Sequence, residues 1–435
     1  MTSSEELAIP YKYNLSIIRA QSFFTFGFTV RNDKGLWLLD IDSHYERLKT
    51  CYGLMYEKSQ LPFNFHEFKE WIETILSENR AYKQRLSCSI ILSAGTPRQV
   101  VSNTGCYASG FGGDLAQMSI IVQPLLTKPM WSFEQGINAI TYAYQRPHAA
   151  AKPNYYMGGV LGQHIIDTLN RLVVLKYASR ENPLDHNKEA LCLSLMKDTY
   201  NAYQLLNEKQ QQRLRVFLND INTDQDCIEA SFKALFSQQG PEESAFYNVV
   251  EGIDWGKMSD TDVKRMEEEL FQYLVQEVIF CHPSNPNVLL EGSTFSLMAL
   301  SKNDEIVFFP NKLSKEDGIV IEDDNDGTSL VSTTIHCLKT LVKQRQLPHQ
   351  VRAISQDQLT DCKAVFAVST TRVKINETGI HLQPIASLNG VKMPLEDLNN
   401  SPVYQALVQG IRDYINDYEH DSASINEAIH DSLLI

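Results

Sequence analysis

Between Glu181 and Gln272 the chain carries 18 Asp+Glu against 9 Lys+Arg, and its apolar residues fall at helical spacing. Leu214, Phe217, Leu218 and Ile221 stand at i, i+3, i+4 and i+7, and Val263, Met266 and Leu270 follow a capping-type Ser259. The flanks are different: several of their apolar runs are short, strand-like and bounded by turn residues. Strands on both sides of an acidic helical block exclude an all-α or all-β chain. They call for an α/β (α+β) fold, with 181–272 as a helical insertion.

The first flank reads as a small domain over 1–126. SFFTFGFTVR, a turn at Asn32-Asp33-Lys34-Gly35 and LWLLD form a hairpin; a helix begins at Ser43 with Glu46 three residues on, and a second helix runs from Phe65 to Leu76. Strands follow at Arg85 to Leu92 and Met118 to Leu126, joined by a connection rich in glycine at 110, 112 and 113. Residues 127–131, with Pro129, read as an interdomain linker, and a larger domain covers 132–435. Its expected elements are a strand at Ile137 to Tyr144, a helix from Met157 to Tyr177, and strands at Glu277 to Cys281, Val288 to Leu290 and Phe295 to Leu300. After a surface loop at Ile321 to Gly327 come a helix at Val331 to Gln344, a strand at Ala364 to Val368 and a closing helix at Pro402 to Tyr418.

The 435 residues carry 39 Lys+Arg against 53 Asp+Glu, a formal charge of −14. That balance repels nucleic acid and anionic membrane surfaces. No apolar stretch approaches the ~18 residues of a membrane span, and MTSSEELAIP is no secretory leader, so a cytoplasmic protein is expected. Cysteines at 51, 88, 106, 192, 227, 281, 337 and 362 form no CxxC pair, and the histidines match no metal spacing; neither a metal nor a disulfide framework is expected.

Lys152 follows three alanines, whose small side chains leave room for a ligand, and precedes Pro-Asn-Tyr-Tyr at the mouth of a helix. A lysine amine titrates near ~10.4, so any nucleophilic use demands surroundings that depress it. Taken with its distant companions, this lysine belongs to a pattern that resembles the class IV aminotransferases, the fold type IV pyridoxal phosphate enzymes. Asp42-Ser-His-Tyr-Glu-Arg47-Leu48 resembles the H-x-x-R-L helix. Lys152-Pro-Asn-Tyr-Tyr156 resembles K-x-x-N-Y, and Glu277-Val-Ile-Phe-Cys281 with Asn287-Val-Leu-Leu-Glu291-Gly-Ser-Thr294 resembles the strand pair E-A-L-L-L and N-V-L-E-G-S-T. Leu330-Val-Ser-Thr-Thr334 stands where the family has L-P-G-I-T, and Val368-Ser-Thr-Thr371 where it has a G-T-A turn.

The resemblance implies a two-domain D-amino acid aminotransferase-like fold, a homodimer, and pyridoxal 5′-phosphate as cofactor. It makes Lys152 the Schiff-base lysine, Tyr156 the phenol beside the cofactor ring, Glu291 the partner of the pyridine nitrogen, and Arg47, Thr333, Thr334 and Thr370 the phosphate ligands. The implied activity is transamination of a branched-chain-like amino acid with a 2-oxo acid acceptor. The alternatives are a D-amino acid aminotransferase, an aminodeoxychorismate lyase-like enzyme, or a non-catalytic binding protein that recruits a protein partner through the insertion. Departures cluster on the substrate side: Tyr155 replaces the family's Asn, Val331 and Ser332 replace Pro and Gly, Ile335 an arginine, Ser296 an Asn, and Phe28 an acidic residue.

Overall fold

A computed structural model describes residues 22–32, 35–56, 60–93, 117–126, 128, 130–146, 149, 151–153, 158–163, 166, 170, 275–311, 329–330, 332–376, 379–395 and 398–420. The acidic segment 181–272, the glycine-rich connection, the loop at 321–327 and Tyr156 lie outside the described residues.

The amino-terminal part forms β1 (Ser22–Asn32), β2 (Gly35–Leu38), α1 (Ile41–Tyr56), α2 (Phe65–Glu78), β3 (Leu86–Ser93) and β4 (Gln117–Pro124). The four strands make one antiparallel sheet in the order β2-β1-β3-β4. The expected hairpin, both helices and both later strands are there. One boundary differs: α1 begins at Ile41, two residues before Ser43, so Ser43 lies inside the first turn and bonds back to the Asp40 carboxylate. α2 opens on a full capping box, in which the Asn64 side chain accepts from the Glu67 amide at 3.0 Å and the Glu67 carboxylate accepts from the Asn64 amide at 2.8 Å.

β1 packs on both faces, so its buried residues fall at odd and even positions alike. Odd-numbered Phe23 packs into the core beneath α1 and α2, and Thr25 meets His44 of α1 across a 2.6 Å hydrogen bond. Gly27 is required there, because a Cβ would collide with the His44 ring and Leu38. The even-numbered residues face the second part of the molecule, where Phe28 and Val30 join a core with Phe366, Leu407 and Ile411.

The second part adds α3 (Trp131–Glu134), β5 (Ile137–Ala143), a helical stretch at 158–163, β6 (Glu277–His282), β7 (Asn285–Gly292), β8 (Ser296–Ser301) and β9 (Ile306–Phe308). It continues through α4 (Thr333–Gln344), β10 (His349–Val351), β11 (Cys362–Val368), β12 (Val373–Asn376), β13 (Gly379–Leu388), β14 (Val391–Lys392) and α5 (Pro402–His420). One mixed sheet runs β10-β9-β8-β11-β13-β5-β6-β7, with β12 and β14 also on β13. β5 and β6 are parallel neighbours, Ala139 opposite Glu277, although 133 residues separate the end of one from the start of the other. Parallel pairing requires a crossover, and the acidic block falls inside this one. Asn170 and Val275 flank it and are joined by two hydrogen bonds of 2.8 and 2.9 Å.

Asp40, in the left-handed region at φ 59°, links α1 to α5: its carboxylate bonds to Ser43 and Tyr414. Burial pushes its carboxyl up from 3.8 to about 6 against the pull of those bonds and of Arg47. The native state therefore holds a proton that the unfolded chain has lost, so stability falls as pH rises from about 4 to about 6 and stays lowered above. Asp40→Asn, which tolerates the same backbone, is expected to add about 1–3 kcal/mol at pH 8 and nothing below pH 4. Urea unfolding across that pH range measures the difference, and a pH-independent effect would exclude the mechanism.

Candidate active site

A cleft of about 500 Å³ opens between β1, α1 and the edge of the large sheet where β7 and β11 end and β8 begins. Six of the seven residues singled out from the sequence are in its lining: Arg47, Lys152, Glu291, Thr333, Thr334 and Thr370. The seventh, Tyr156, lies outside the described residues.

Lys152 is fixed by its backbone. Its carbonyl accepts from the Phe24 amide at 3.0 Å, its amide approaches Cys51 Sγ at 3.3 Å, and Pro153 bridges to Phe23. The chain after the alanines thus meets β1 in a single antiparallel bridge, with Ala151 buried beside it. The Nζ atom lies 4.8 Å from the centre of the Phe24 ring. Burial, then the nearby Arg47 and Arg146 guanidinium groups, push the amine down to about 7, with Glu291 opposing them. A large fraction of the amine is therefore unprotonated at neutral pH, the state a nucleophile or base requires.

Arg47 sits one helical turn before Cys51, so the helix that anchors Lys152 also carries the cation. Opposite stands the amino end of α4. Its cap, Ser332, accepts from the Ile335 amide at 3.3 Å, and Thr333 and Thr334 occupy the first turn, where unpaired amides and the helix dipole favour an anion. Thr370 follows β11 in a turn closed by a 2.9 Å bond from the Arg372 amide to the Ser369 carbonyl, and its hydroxyl donates to the Phe26 carbonyl at 3.4 Å.

Glu291 ends β7 at the far side. Only 3% of it is exposed. One oxygen pairs with Arg146 Nη2 at 3.1 Å, and the other accepts from the Leu330 amide at 3.1 Å. Burial raises its carboxyl above the usual range, while Arg146, the Leu330 amide and Lys152 act against that. Gly292 then lets the chain turn sharply enough for the Phe295 ring to fold over it, since a Cβ at this position would lie inside that ring.

Two arginines in this lining, Arg146 and Arg372, went unrecognised in the sequence, as did Glu277 as a buried charge. The available signal was Glu277 itself, the charged first residue of the otherwise apolar EVIFC run. A carboxylate on a strand buried at every position needs a cationic partner. That partner is Arg372, which is almost wholly buried and also donates to Gln383 Oε1.

No family profile and no curated protein matches this sequence. Solved structures do match in fold. The branched-chain amino acid aminotransferase of Escherichia coli is similar with a TM-score of 0.52 and 12% identity, over 95% of this chain and 91% of that one. A branched-chain aminotransferase from the thermophilic archaeon Thermoproteus uzoniensis, solved with norvaline, gives 0.51 and 11%, over 96% and 93%. A further branched-chain amino acid aminotransferase, complexed with N-(5′-phosphopyridoxyl)-L-glutamate, gives 0.51 and 11%, over 95% and 91%. The chain shares the fold of these aminotransferase structures, in line with the fold that its motifs imply.

Proposed function

We propose that the protein is a pyridoxal phosphate-dependent aminotransferase, with Lys152, Glu291 and the Arg47, Thr333, Thr334 and Thr370 group as its cofactor site. The observation that carries this reading is a single cleft holding a lysine pushed down to about 7, a buried carboxylate, and an arginine facing a helix amino end. The donor set suits the cofactor at each point: cation, amides and hydroxyls for a phosphate, Glu291 for a pyridinium, Lys152 for an aldehyde. When bound, pyridoxal phosphate supplies a carbonyl that a primary amine captures and a ring that accepts the electrons left when the substrate's Cα–H bond breaks. Lys152 Nζ, as the free amine, takes and returns that proton. Arg146 and the Leu330 amide favour the ionised form of Glu291 against its burial, and they aim it.

Phe24, Phe26, Phe295, Leu330 and Val368 supply apolar wall, which supports a branched-chain-like amino acid as donor and a small 2-oxo acid as acceptor. The same resemblance supports a homodimer, which solution mass measures. The described cysteines, 51, 88, 281, 337 and 362, are free thiols, as suits the cytoplasm. The test is amino-group transfer from a panel of L- and D-amino acids to 2-oxoglutarate. Transfer from leucine, isoleucine or valine is expected; transfer from D-amino acids only, or lyase activity on aminodeoxychorismate without transfer, would replace the assignment.

Arg47→Ala is expected to weaken cofactor affinity about tenfold to a hundredfold, corresponding to a charge-assisted contact of ~1.5–3 kcal/mol. The absorbance maximum of the bound cofactor should hold, because the contact lies at the phosphate end. Equilibrium dialysis measures the first and a spectrum the second. Unchanged affinity would remove Arg47 from the phosphate site.

A further inference from the structure

We propose that Arg372 is a positioning residue that sets the distance between the two ends of the cleft, the turn after Glu291 and the turn at 369–371. The inference rests on the cofactor site proposed above. Its backbone closes the second turn: the Arg372 amide donates to the Ser369 carbonyl at 2.9 Å, and its carbonyl accepts from the Gln383 amide at 3.3 Å. Its side chain reaches the other end. The guanidinium pairs with Glu277 at the start of β6, donates to Gln383 Oε1 on β13, and lies 4.5 Å from the centre of the Phe295 ring.

Each partner is itself anchored. Glu277 Oε2 accepts from Ser293 Oγ at 3.0 Å, two residues beyond Glu291, and Gln383 Nε2 donates to Ser132 Oγ of α3 at 2.8 Å. One planar cation therefore ties Ser293 and Phe295, which follow the carboxylate, to the turn that carries Thr370. Although burial pushes it down to about 9, the guanidinium remains cationic at neutral pH and keeps its pair. Thr370 in turn touches the Phe26 carbonyl, so the spacing extends to β1. A ligand that spans the cleft, with a ring at one end and a phosphate at the other, is sensitive to that spacing; a ligand held at one end is not.

The experiment compares three probes, pyridoxal phosphate, pyridoxal and inorganic phosphate, on the wild type, R372M and the double variant E277M/R372M. Removing one partner strands a buried charge, so R372M is expected to melt at lower temperature; replacing both partners by apolar groups is often neutral, so the double variant should recover most of that stability. In the recovered protein, pyridoxal phosphate should bind about tenfold or more weakly, while pyridoxal and phosphate bind as in the wild type. Equal binding of pyridoxal phosphate by wild type and double variant would overturn the inference and leave a structural ion pair. Equal weakening of all three probes would do the same, by showing a general loosening of the cleft. A wild type that binds pyridoxal phosphate no better than phosphate would instead sink the cofactor site itself, and the inference with it.

Discussion

Borohydride treatment of the cofactor-loaded protein is expected to fix the cofactor covalently on Lys152, and Lys152→Met is expected to abolish that labelling and lower turnover by on the order of 10⁴. The residue is held by its backbone to Phe24 and Cys51, so its side chain enters the cleft from one fixed point on the wall. With the amine titrating at about 7, capture of the aldehyde should accelerate as pH rises through that value and level off above it. An ordinary lysine would keep accelerating to about pH 10. Arg47 and Arg146 both contribute to the depression, so Arg47→Ala should move the inflection upward. Mass spectrometry of the reduced protein locates the label. A modified peptide carrying any other lysine, with Lys152 unmodified, would refute the assignment.

Glu291→Gln should have the second largest effect, in two separable parts. Gln still accepts from the Leu330 amide but leaves the Arg146 cation without its carboxylate in a site where both side chains are almost wholly buried. Breaking such a pair costs about 3–5 kcal/mol. Turnover should fall further than the stability loss explains, by on the order of a hundredfold to a thousandfold, because no anion then holds the proton on the pyridine nitrogen. The same change removes the carboxylate that raises the Lys152 amine, so the inflection in aldehyde capture should move below about 7. Arg146→Met combined with Glu291→Gln restores the charge balance. If that double variant regains both stability and turnover, Glu291 serves the fold and not the chemistry.

Local chemistry explains which parts of the molecule could be read from the chain. β1, β3, β6 and β11 announce themselves as apolar runs because each is buried along most of its length, and α2, α4 and α5 as 3.6-residue periodicities with one buried face. β9 and β10 have three residues each, too few for any period to appear. β13 carries Pro384 in its middle, which argues against a strand, since proline offers no amide to a neighbour. The structure places Pro384 where β13 changes partners: Phe366 of β11 pairs with Pro384 itself, and Ile137 of β5 pairs with the next residue.

The site divides in the same way. Lys152, Arg47, Glu291 and the threonines were legible because each sits in a short motif whose spacing a helix opening or a strand end dictates. The sequence by itself determined these local units, the charge of the chain and the position of the acidic block. Only the tertiary structure decided that Arg146 answers Glu291, that Arg372 answers Glu277 across 95 residues, and that β5 and β6 pair across the acidic crossover. The reason is physical. A helix cap or strand period arises from interactions over a few residues, whereas the partner of a buried charge is chosen by whichever distant segment the folded core brings within hydrogen-bond reach.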